Sequence, residues 1–104
     1  MESVKIKFSD LIQNSEKPVL VDFYADWCSP CHAMSPVIKE IASQYSDKMK
    51  VIKVDIDKNQ TASAAYKIIS IPTLILFHKG EIKWRQSGVI PYPALKKALE
   101  DYFR

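Results

Sequence analysis

Cys28 and Cys31 are the only cysteines of the chain, and the pair Ser29-Pro30 separates them. Two thiols at this spacing can form a disulfide with each other, exchange it with another thiol, or donate two ligands to a metal ion. A disulfide stabilises a protein mainly by closing a long loop of the unfolded chain, and this one would enclose only Ser29 and Pro30. We therefore expect redox chemistry or metal binding at the pair, and not a structural bridge.

A zinc site and a haem site compete with redox chemistry at these cysteines. A structural zinc ion needs four ligands, and beyond Cys28, Cys31 and His32 the only further histidine, His78, follows a distant strand. The run from Cys28 to His32 also matches the attachment pattern of c-type haem. That pattern gives no reason for an aspartate inside the preceding apolar strand. A haem absorption band or bound metal in the purified protein would favour these alternatives.

The cysteine pair lies at the junction between an apolar strand and a helix. Residues 18–24 form an almost unbroken apolar run, which is typical of a strand buried on both faces, and Asp22 is its one exception. From Cys28 onward, apolar residues recur at the spacing of one helix face. Pro30 fits the first helical turn, where a missing backbone N–H costs no hydrogen bond.

This position gives the two cysteines different expected roles. The free N–H groups and the dipole of a helix N-terminus favour an anion, so Cys28 should ionise more easily than a free thiol. A thiolate is the attacking species in thiol–disulfide exchange. The i, i+3 spacing brings Cys31 to the same side of the helix start, where it can attack a mixed disulfide. We predict that Cys28 is the nucleophile and Cys31 the resolving thiol.

Asp22 is the second chemically informative residue. Its carboxyl would be costly to ionise inside an apolar strand, so we expect its pKa to be raised. A raised carboxyl near Cys31 suits proton transfer to and from that thiol. A structural ion pair would also perturb the pKa of this carboxyl, and that alternative stays open.

The remaining pattern predicts strands and helices on both sides of this junction. Further strands are predicted around residues 4–6, 51–56, 74–77 and 81–87, and further helices over 8–14, 59–66 and from 91–93 to the end. The order βαβαβαββα implies parallel crossovers in the first part and an antiparallel hairpin at the end, with Lys79-Gly80 as its turn. We predict one α/β domain, residues 1–104, with a central mixed five-stranded sheet flanked by four helices.

The bulk properties are those of an ordinary globular domain. The chain has 104 residues, of which 47% are hydrophobic and 26% charged, with a net charge of +3. Basic and acidic residues are interleaved, so no basic block supports nucleic-acid binding. No apolar run is long enough to span a membrane, and the N-terminus lacks the apolar stretch of a secretory signal. We therefore expect a cytoplasmic protein that binds neither nucleic acid nor membrane.

Several segments together resemble the thioredoxin family. The segment from Val21 to Cys31 is similar to the active-site region of that family, and the likeness extends over roughly residues 4–104. It continues through Pro36, Val54-Asp55-Ile56-Asp57, Ile71-Pro72-Thr73-Leu74, Gly80 and Gly88. A bare pair of cysteines at this spacing is weak evidence, whereas the pair in a βαβ context is a recognised redox signature.

The resemblance implies a thioredoxin fold and a protein-disulfide reductase. It implies a redox-active Cys28–Cys31 disulfide with no other cofactor and no metal. It also implies protein disulfides as substrates, recharging by an NADPH-dependent thioredoxin reductase, and a monomer. A thiol oxidase or isomerase on the same fold is one alternative, and a binding module without turnover is the other.

The resemblance also assigns roles around the cysteines. Asp22 would exchange protons with Cys31, with Lys53 as its buried neighbour. Pro72 would be the family's cis-proline and present the backbone of Ile71 to an extended substrate segment, although a proline at the first position of a strand is also common. The other residues implied for the site and the substrate groove are Trp27, Ser29, Pro30, Gly88 and Val89.

Two residues beside the cysteines depart from the family pattern. Ser29 stands where thioredoxins typically carry Gly. Either it donates a hydrogen bond to the Cys28 sulfur, or it merely replaces glycine in a turn that accepts other residues. His32 stands where the family usually has Lys or Arg. It either makes the charge of the site depend on pH near neutrality or is an ordinary exposed helix residue. These departures leave the reduction potential open.

Overall fold

The computed structural model describes residues 7–104, so the strand predicted around residues 4–6 lies outside the described residues. Its elements, in chain order, are α1 (Phe8–Asn14), β1 (Val19–Tyr24), α2 (Ser29–Gln44), β2 (Lys50–Asp55), α3 (Gln60–Ala65), β3 (Thr73–His78), β4 (Glu81–Ser87) and α4 (Tyr92–Phe103). Each element predicted within this range is present, with bounds close to those predicted. No helix of residues 7–104 is long and apolar enough to cross a membrane.

The sheet is mixed, and the described residues contribute four of the five predicted strands, in the order β2-β1-β3-β4. β1 runs parallel to β2 and antiparallel to β3, and β3 and β4 form an antiparallel hairpin. The predicted parallel crossover is therefore correct for β1–α2–β2 and wrong for β3. α3 has six residues and is about 9 Å long. It cannot by itself carry the chain back along a strand of about 20 Å.

The hairpin turn at Lys79-Gly80 confirms the predicted turn. Both residues have positive φ, 54° and 84°, which is the requirement of the tight turn that matches the twist of two antiparallel strands. Glycine adopts this backbone conformation without steric cost. The Gly80 N–H also donates to the Ile12 carbonyl at 3.1 Å, and this bond ties the turn to α1.

The core lies on both faces of the sheet. On one face, residues of β1 and β3 pack against α2 and α4, in a cluster that includes Leu20, Met34, Ile38, Ile41, Leu74, Leu76, Leu95 and Leu99. On the other face, Val19, Val21, Phe23, Ile75 and Phe77 pack against α1 and the segment after α3. β1 is thus buried on both faces, as predicted. Because side chains alternate along a strand, Leu20 and Asp22 share the face that α2 covers.

The strand ends that position the cysteines lie at one edge of the sheet. Tyr24 at the end of β1 pairs with Asp55 at the end of β2. The neighbouring Phe23 pairs with Thr73 at the start of β3, and Thr73 pairs with Ser87 at the end of β4. The loops that follow β1, β2 and β4, and the loop that precedes β3, therefore meet at this edge.

Ile75→Ala tests the packing of the β3 core. The side chain is fully buried, so its truncation should lower the free energy of unfolding by about 2–5 kcal/mol. Ile69→Ala is the matched control, because Ile69 is 94% exposed and its truncation should change stability by at most about 0.5 kcal/mol. Urea denaturation followed by far-UV circular dichroism measures both, and equal losses in the two variants would contradict the assignment.

Candidate active site

Cys28 occupies the N-cap position of α2, directly after the loop that leaves β1. The N–H of Cys31 donates a hydrogen bond to the Cys28 sulfur at 3.2 Å. Pro30, in the first turn between them, has no N–H to compete for the sulfur. The sulfur therefore stands where the side-chain oxygen of Ser or Asp usually caps a helix, at the positive end of the helix dipole.

A disulfide joins Cys28 and Cys31, whose Cα atoms are 5.3 Å apart. Both residues are buried, with 4% and 6% of their surface exposed. They form a small apolar cluster with Ala25, and Tyr24, Ile56 and Ile71 pack against it. Because so little of either residue is exposed, a reacting disulfide must come into close contact with the surface around the pair.

Ile71 and Pro72 border the disulfide at the start of β3. The peptide bond between them is cis, as the resemblance implied. The Ile71 carbonyl oxygen lies 3.9 Å from the Cys28 sulfur. That sulfur carries no proton in the disulfide, whereas a reduced thiol can donate to this oxygen. The Gly88 N–H donates to the Pro72 carbonyl at 2.8 Å, so the segment after β4 is attached to the same loop.

Trp27 is 68% exposed beside the cysteines. Its indole N–H donates to the Asp57 carboxylate at 2.8 Å. The Asp57 N–H in turn donates to the Asp55 carboxylate at 2.9 Å. No pattern in the sequence assigned a role to Asp57. The available signal was that Asp57 follows β2 as Trp27 follows β1, and the ends of parallel neighbouring strands meet at one edge.

His32 and Ser29 differ in what they contact. The His32 Nε2 lies 2.7 Å from the Asp26 carbonyl oxygen. A carbonyl only accepts, so Nε2 carries the proton and His32 links the first turn of α2 to the loop before Cys28. Ser29 is exposed. Within residues 7–104, its hydroxyl donates no hydrogen bond to the Cys28 sulfur, which accepts from the Cys31 N–H instead. This favours the interpretation of Ser29 as a residue tolerated in the turn.

Asp22 is 1% exposed on the face that α2 covers. Its Oδ1 is buried and has no hydrogen-bond partner among the described residues. Burial raises the pKa of this carboxyl from 3.8 to about 6, and the positive charge of Lys53 opposes the rise in part. The prediction of a raised pKa is confirmed, and desolvation is its main cause.

Lys53 lies beside Asp22 in the register of β1 and β2, but the expectation of a buried lysine is wrong. Its side chain is exposed, and Nζ lies 4.4 Å from the centre of the Tyr24 ring. A lysine packs its alkyl chain along apolar surface and keeps its ammonium in water, where charge interactions are screened. Lys53 therefore offsets only part of the effect of burial on Asp22.

The predicted groove residues lie around this edge with different exposure. Val89 is 53% exposed, and Ile71 is half-buried. Gly88 has a φ of 90°, and open space surrounds the position where a Cβ would stand. Ile69, which no sequence pattern singles out, is 94% exposed two residues before Ile71. No periodicity in this segment distinguishes Ile69 from the half-buried Ile68 and Ile71.

The zinc alternative finds no support within residues 7–104. There, no three side chains of His, Cys, Asp or Glu lie close enough together to hold a metal ion. His78 ends β3 and hydrogen bonds with the Tyr102 hydroxyl at 2.6 Å. Pro72 precedes the other end of this strand, so His78 is about 20 Å from the cysteine edge.

A family model for thioredoxin matches residues 1–101. The chain belongs to the thioredoxin family. It is 43% identical over 90 residues to Thioredoxin 1 of Chlorobaculum tepidum, which covers 86% of this chain and 89% of the relative. It is also 43% identical over 95 residues to the thioredoxin of Synechocystis sp., with 91% and 89% covered. A third relative, the chloroplastic Thioredoxin Y2 of Arabidopsis thaliana, is 43% identical over 94 residues, which are 90% of this chain and 56% of that protein.

Family membership and the Cys28–Cys31 disulfide together identify the activity class. The two cysteines have the spacing of the family's redox-active pair. Thioredoxins act on protein disulfides and use this disulfide without a further cofactor. The chain is therefore a thiol–disulfide oxidoreductase of the protein-disulfide reductase type.

Asp22→Asn should make the oxidised thioredoxin domain more stable at neutral pH. The folded protein binds a proton at Asp22 up to about pH 6, whereas the unfolded chain releases it near 3.8. The stability of the wild type therefore falls as pH rises from about 4 to about 6 and stays low above it. Since each pKa unit is worth about 1.4 kcal/mol, the variant should gain up to about 3 kcal/mol at pH 7–8.

Urea denaturation across pH 4–8 measures this difference. The gain should shrink as pH falls from 6 to 4, where the wild-type carboxyl is itself neutral in the fold. Asp47→Asn is the control, because Asp47 is exposed and its substitution should not reproduce the pH-dependent gain. A gain of the same size at every pH would show that an effect other than ionisation is responsible.

Proposed function

We propose that the chain reduces protein disulfides by dithiol–disulfide exchange, with Cys28 as the nucleophile and Cys31 as the resolving thiol. The observation that carries this proposal is the hydrogen bond from the Cys31 N–H to the Cys28 sulfur at the start of α2. An anionic acceptor makes a stronger hydrogen bond than a neutral one, and the helix dipole acts in the same direction. Both effects favour the thiolate of Cys28, which is the attacking form.

The reaction transfers two electrons in two exchange steps. The Cys28 thiolate attacks one sulfur of the target disulfide and forms a mixed disulfide, while the other target sulfur leaves as a thiolate and takes up a proton. Cys31 then loses its proton and attacks the Cys28 sulfur. This step forms the Cys28–Cys31 disulfide and releases the second target thiolate, which is protonated in turn. The target disulfide becomes a dithiol, and the dithiol of this protein becomes a disulfide.

Asp22 is the proposed proton acceptor for Cys31 in the second step. Its burial on the face covered by α2 and its Oδ1 without a hydrogen-bond partner support this role. A carboxyl with a pKa of about 6 can both accept and return a proton near neutral pH. Lys53 limits how far that pKa rises.

The proposed substrate groove consists of Trp27, Ile71, Pro72, Gly88 and Val89. Trp27 and Val89 offer exposed apolar surface. The cis bond before Pro72 and the contact of the Ile71 carbonyl with Cys28 bring backbone groups next to the reacting sulfur. An extended segment of a target protein can hydrogen bond with such backbone groups whatever its side chains are. The groove thus suits many protein disulfides.

The oxidised protein needs two electrons before its next cycle. An NADPH-dependent thioredoxin reductase is the proposed donor, which makes the chain an electron carrier in redox homeostasis. The proposal further takes residues 1–104 as a single domain that acts as a cytoplasmic monomer. Family membership supports the reductase, and the reduction potential of the Cys28–Cys31 disulfide is the measurement that distinguishes a reductase from an oxidase. A strongly oxidising potential would favour the oxidase.

Cys28→Ser should abolish insulin reduction, while Cys31→Ser should trap the target. With dithiothreitol as electron source, Cys28→Ser should fall to the rate of dithiothreitol alone, because serine does not attack a disulfide at neutral pH. Cys31→Ser keeps the nucleophile and lacks the resolving thiol, so a mixed disulfide with insulin should accumulate and be visible by mass spectrometry. Equal rates for wild type and Cys28→Ser, or trapping through Cys31 in Cys28→Ser, would contradict the assigned roles.

Asp22→Asn should slow the resolving step without slowing the first attack. Loss of a positioned proton acceptor typically lowers a rate by about 10²-fold or more, so the mixed disulfide should persist longer at neutral pH. Rapid mixing of the prereduced protein with a fluorescent disulfide peptide resolves both steps. The effect should diminish at high pH, where hydroxide deprotonates the Cys31 thiol directly. An equal slowing of both steps would assign Asp22 a structural role.

A further inference from the structure

A buried hydrogen bond joins the cysteine helix to the segment that follows β4. The backbone N–H of Ile90 donates to the Met34 sulfur at 3.3 Å, across 56 positions of sequence. Met34 is fully buried and Ile90 is 2% exposed. We propose that Met34 is a positioning residue. Its thioether sulfur holds the groove segment Gly88–Val89 in place for protein substrates. This inference rests on the proposed groove function.

The N–H of Ile90 needs this acceptor. A buried backbone N–H without a partner costs free energy comparable to a lost hydrogen bond. The next residue, Pro91, has no N–H and caps α4 with extended backbone geometry. Ile90 therefore donates the last backbone hydrogen bond before α4, and a thioether, a weak but polarisable acceptor, receives it.

The bond completes a two-point attachment of the groove segment. At one end, the Gly88 N–H donates to the Pro72 carbonyl, beside the disulfide. At the other end, Ile90 is held by Met34. Between these points Val89 is 53% exposed, and Gly88 leaves open space where a side chain would stand. The segment can therefore face a partner while both of its ends stay fixed.

Met34 also connects this segment to the redox centre. It follows Cys31 by one helical turn on the buried face of α2, where both residues are buried. The same helix therefore fixes the resolving sulfur and, through the Met34 sulfur, the backbone that borders the groove. A protein substrate that lies along Val89 depends on this relative position. A small disulfide that contacts only the sulfurs does not.

Met34→Leu removes the sulfur with little change of volume. The structure offers Met49→Leu as a matched control, because Met49 is a buried methionine of the same core cluster and accepts no N–H in the described residues. With prereduced protein, the second-order rate constant for insulin should fall about three- to tenfold in Met34→Leu, the equivalent of one lost hydrogen bond. The constant for 2-hydroxyethyl disulfide should stay within about twofold. Amide hydrogen exchange at Ile90 should accelerate by a similar three- to tenfold factor.

Replacement of sulfur alone separates the hydrogen bond from packing. In the Met49→Leu background, biosynthetic norleucine should reproduce the Met34→Leu effects, whereas selenomethionine, which keeps an acceptor, should restore wild-type values. Unchanged insulin reduction in Met34→Leu, or an equal fall for both substrates, would overturn the positioning role. If the wild type reduces 2-hydroxyethyl disulfide but not insulin, the proposed function fails and this inference with it. Exchange at Ile90 still shows in that case whether the hydrogen bond exists.

Discussion

The hydrogen bond from the Cys31 N–H to the Cys28 sulfur depends on how firmly the chain is held where β1 ends and α2 begins. β1 is buried on both faces, so it cannot tilt without disturbing both parts of the core. α2 is fixed by its own buried face, and His32 ties its first turn to the Asp26 carbonyl. A sulfur at a helix N-cap is stabilised as an anion only while the start of the helix keeps its position relative to the strand.

The same scaffold makes the ionisation of Asp22 unfavourable. An ionised carboxylate inside β1 has lost its hydration, which costs free energy. The exposed Lys53 offsets little of that cost. An apolar or amide side chain at this position would suit the core better. A protein that keeps a carboxylate there sacrifices stability, which is common at functional positions and gives a physical reason to connect Asp22 with the cysteine chemistry. The missing hydrogen-bond partner of Oδ1 points the same way.

Local pattern was enough to predict most elements, the cysteine junction and the raised pKa of Asp22, because each depends on burial or periodicity near one position. The direction of β3 was predicted wrongly. The order of strands and helices does not show that α3 is too short to carry the chain back along the sheet, as a parallel strand would require. The exposure of Lys53 and the bond between Trp27 and Asp57 depend on how neighbouring strands end. The contact between Met34 and Ile90 depends on distant segments, and no local pattern reports it.

Three hydrogen bonds restrain the loops around the disulfide, and two of them act in the loop between β4 and α4. Asp57 holds Trp27, the Pro72 carbonyl holds Gly88, and the Met34 sulfur holds Ile90. A surface whose loops are already fixed loses less conformational freedom when a partner binds. Since both cysteines are buried, a target must reach their sulfurs through this surface. The fixed loops therefore determine which disulfides can react, whereas the helix start determines how readily the sulfur attacks.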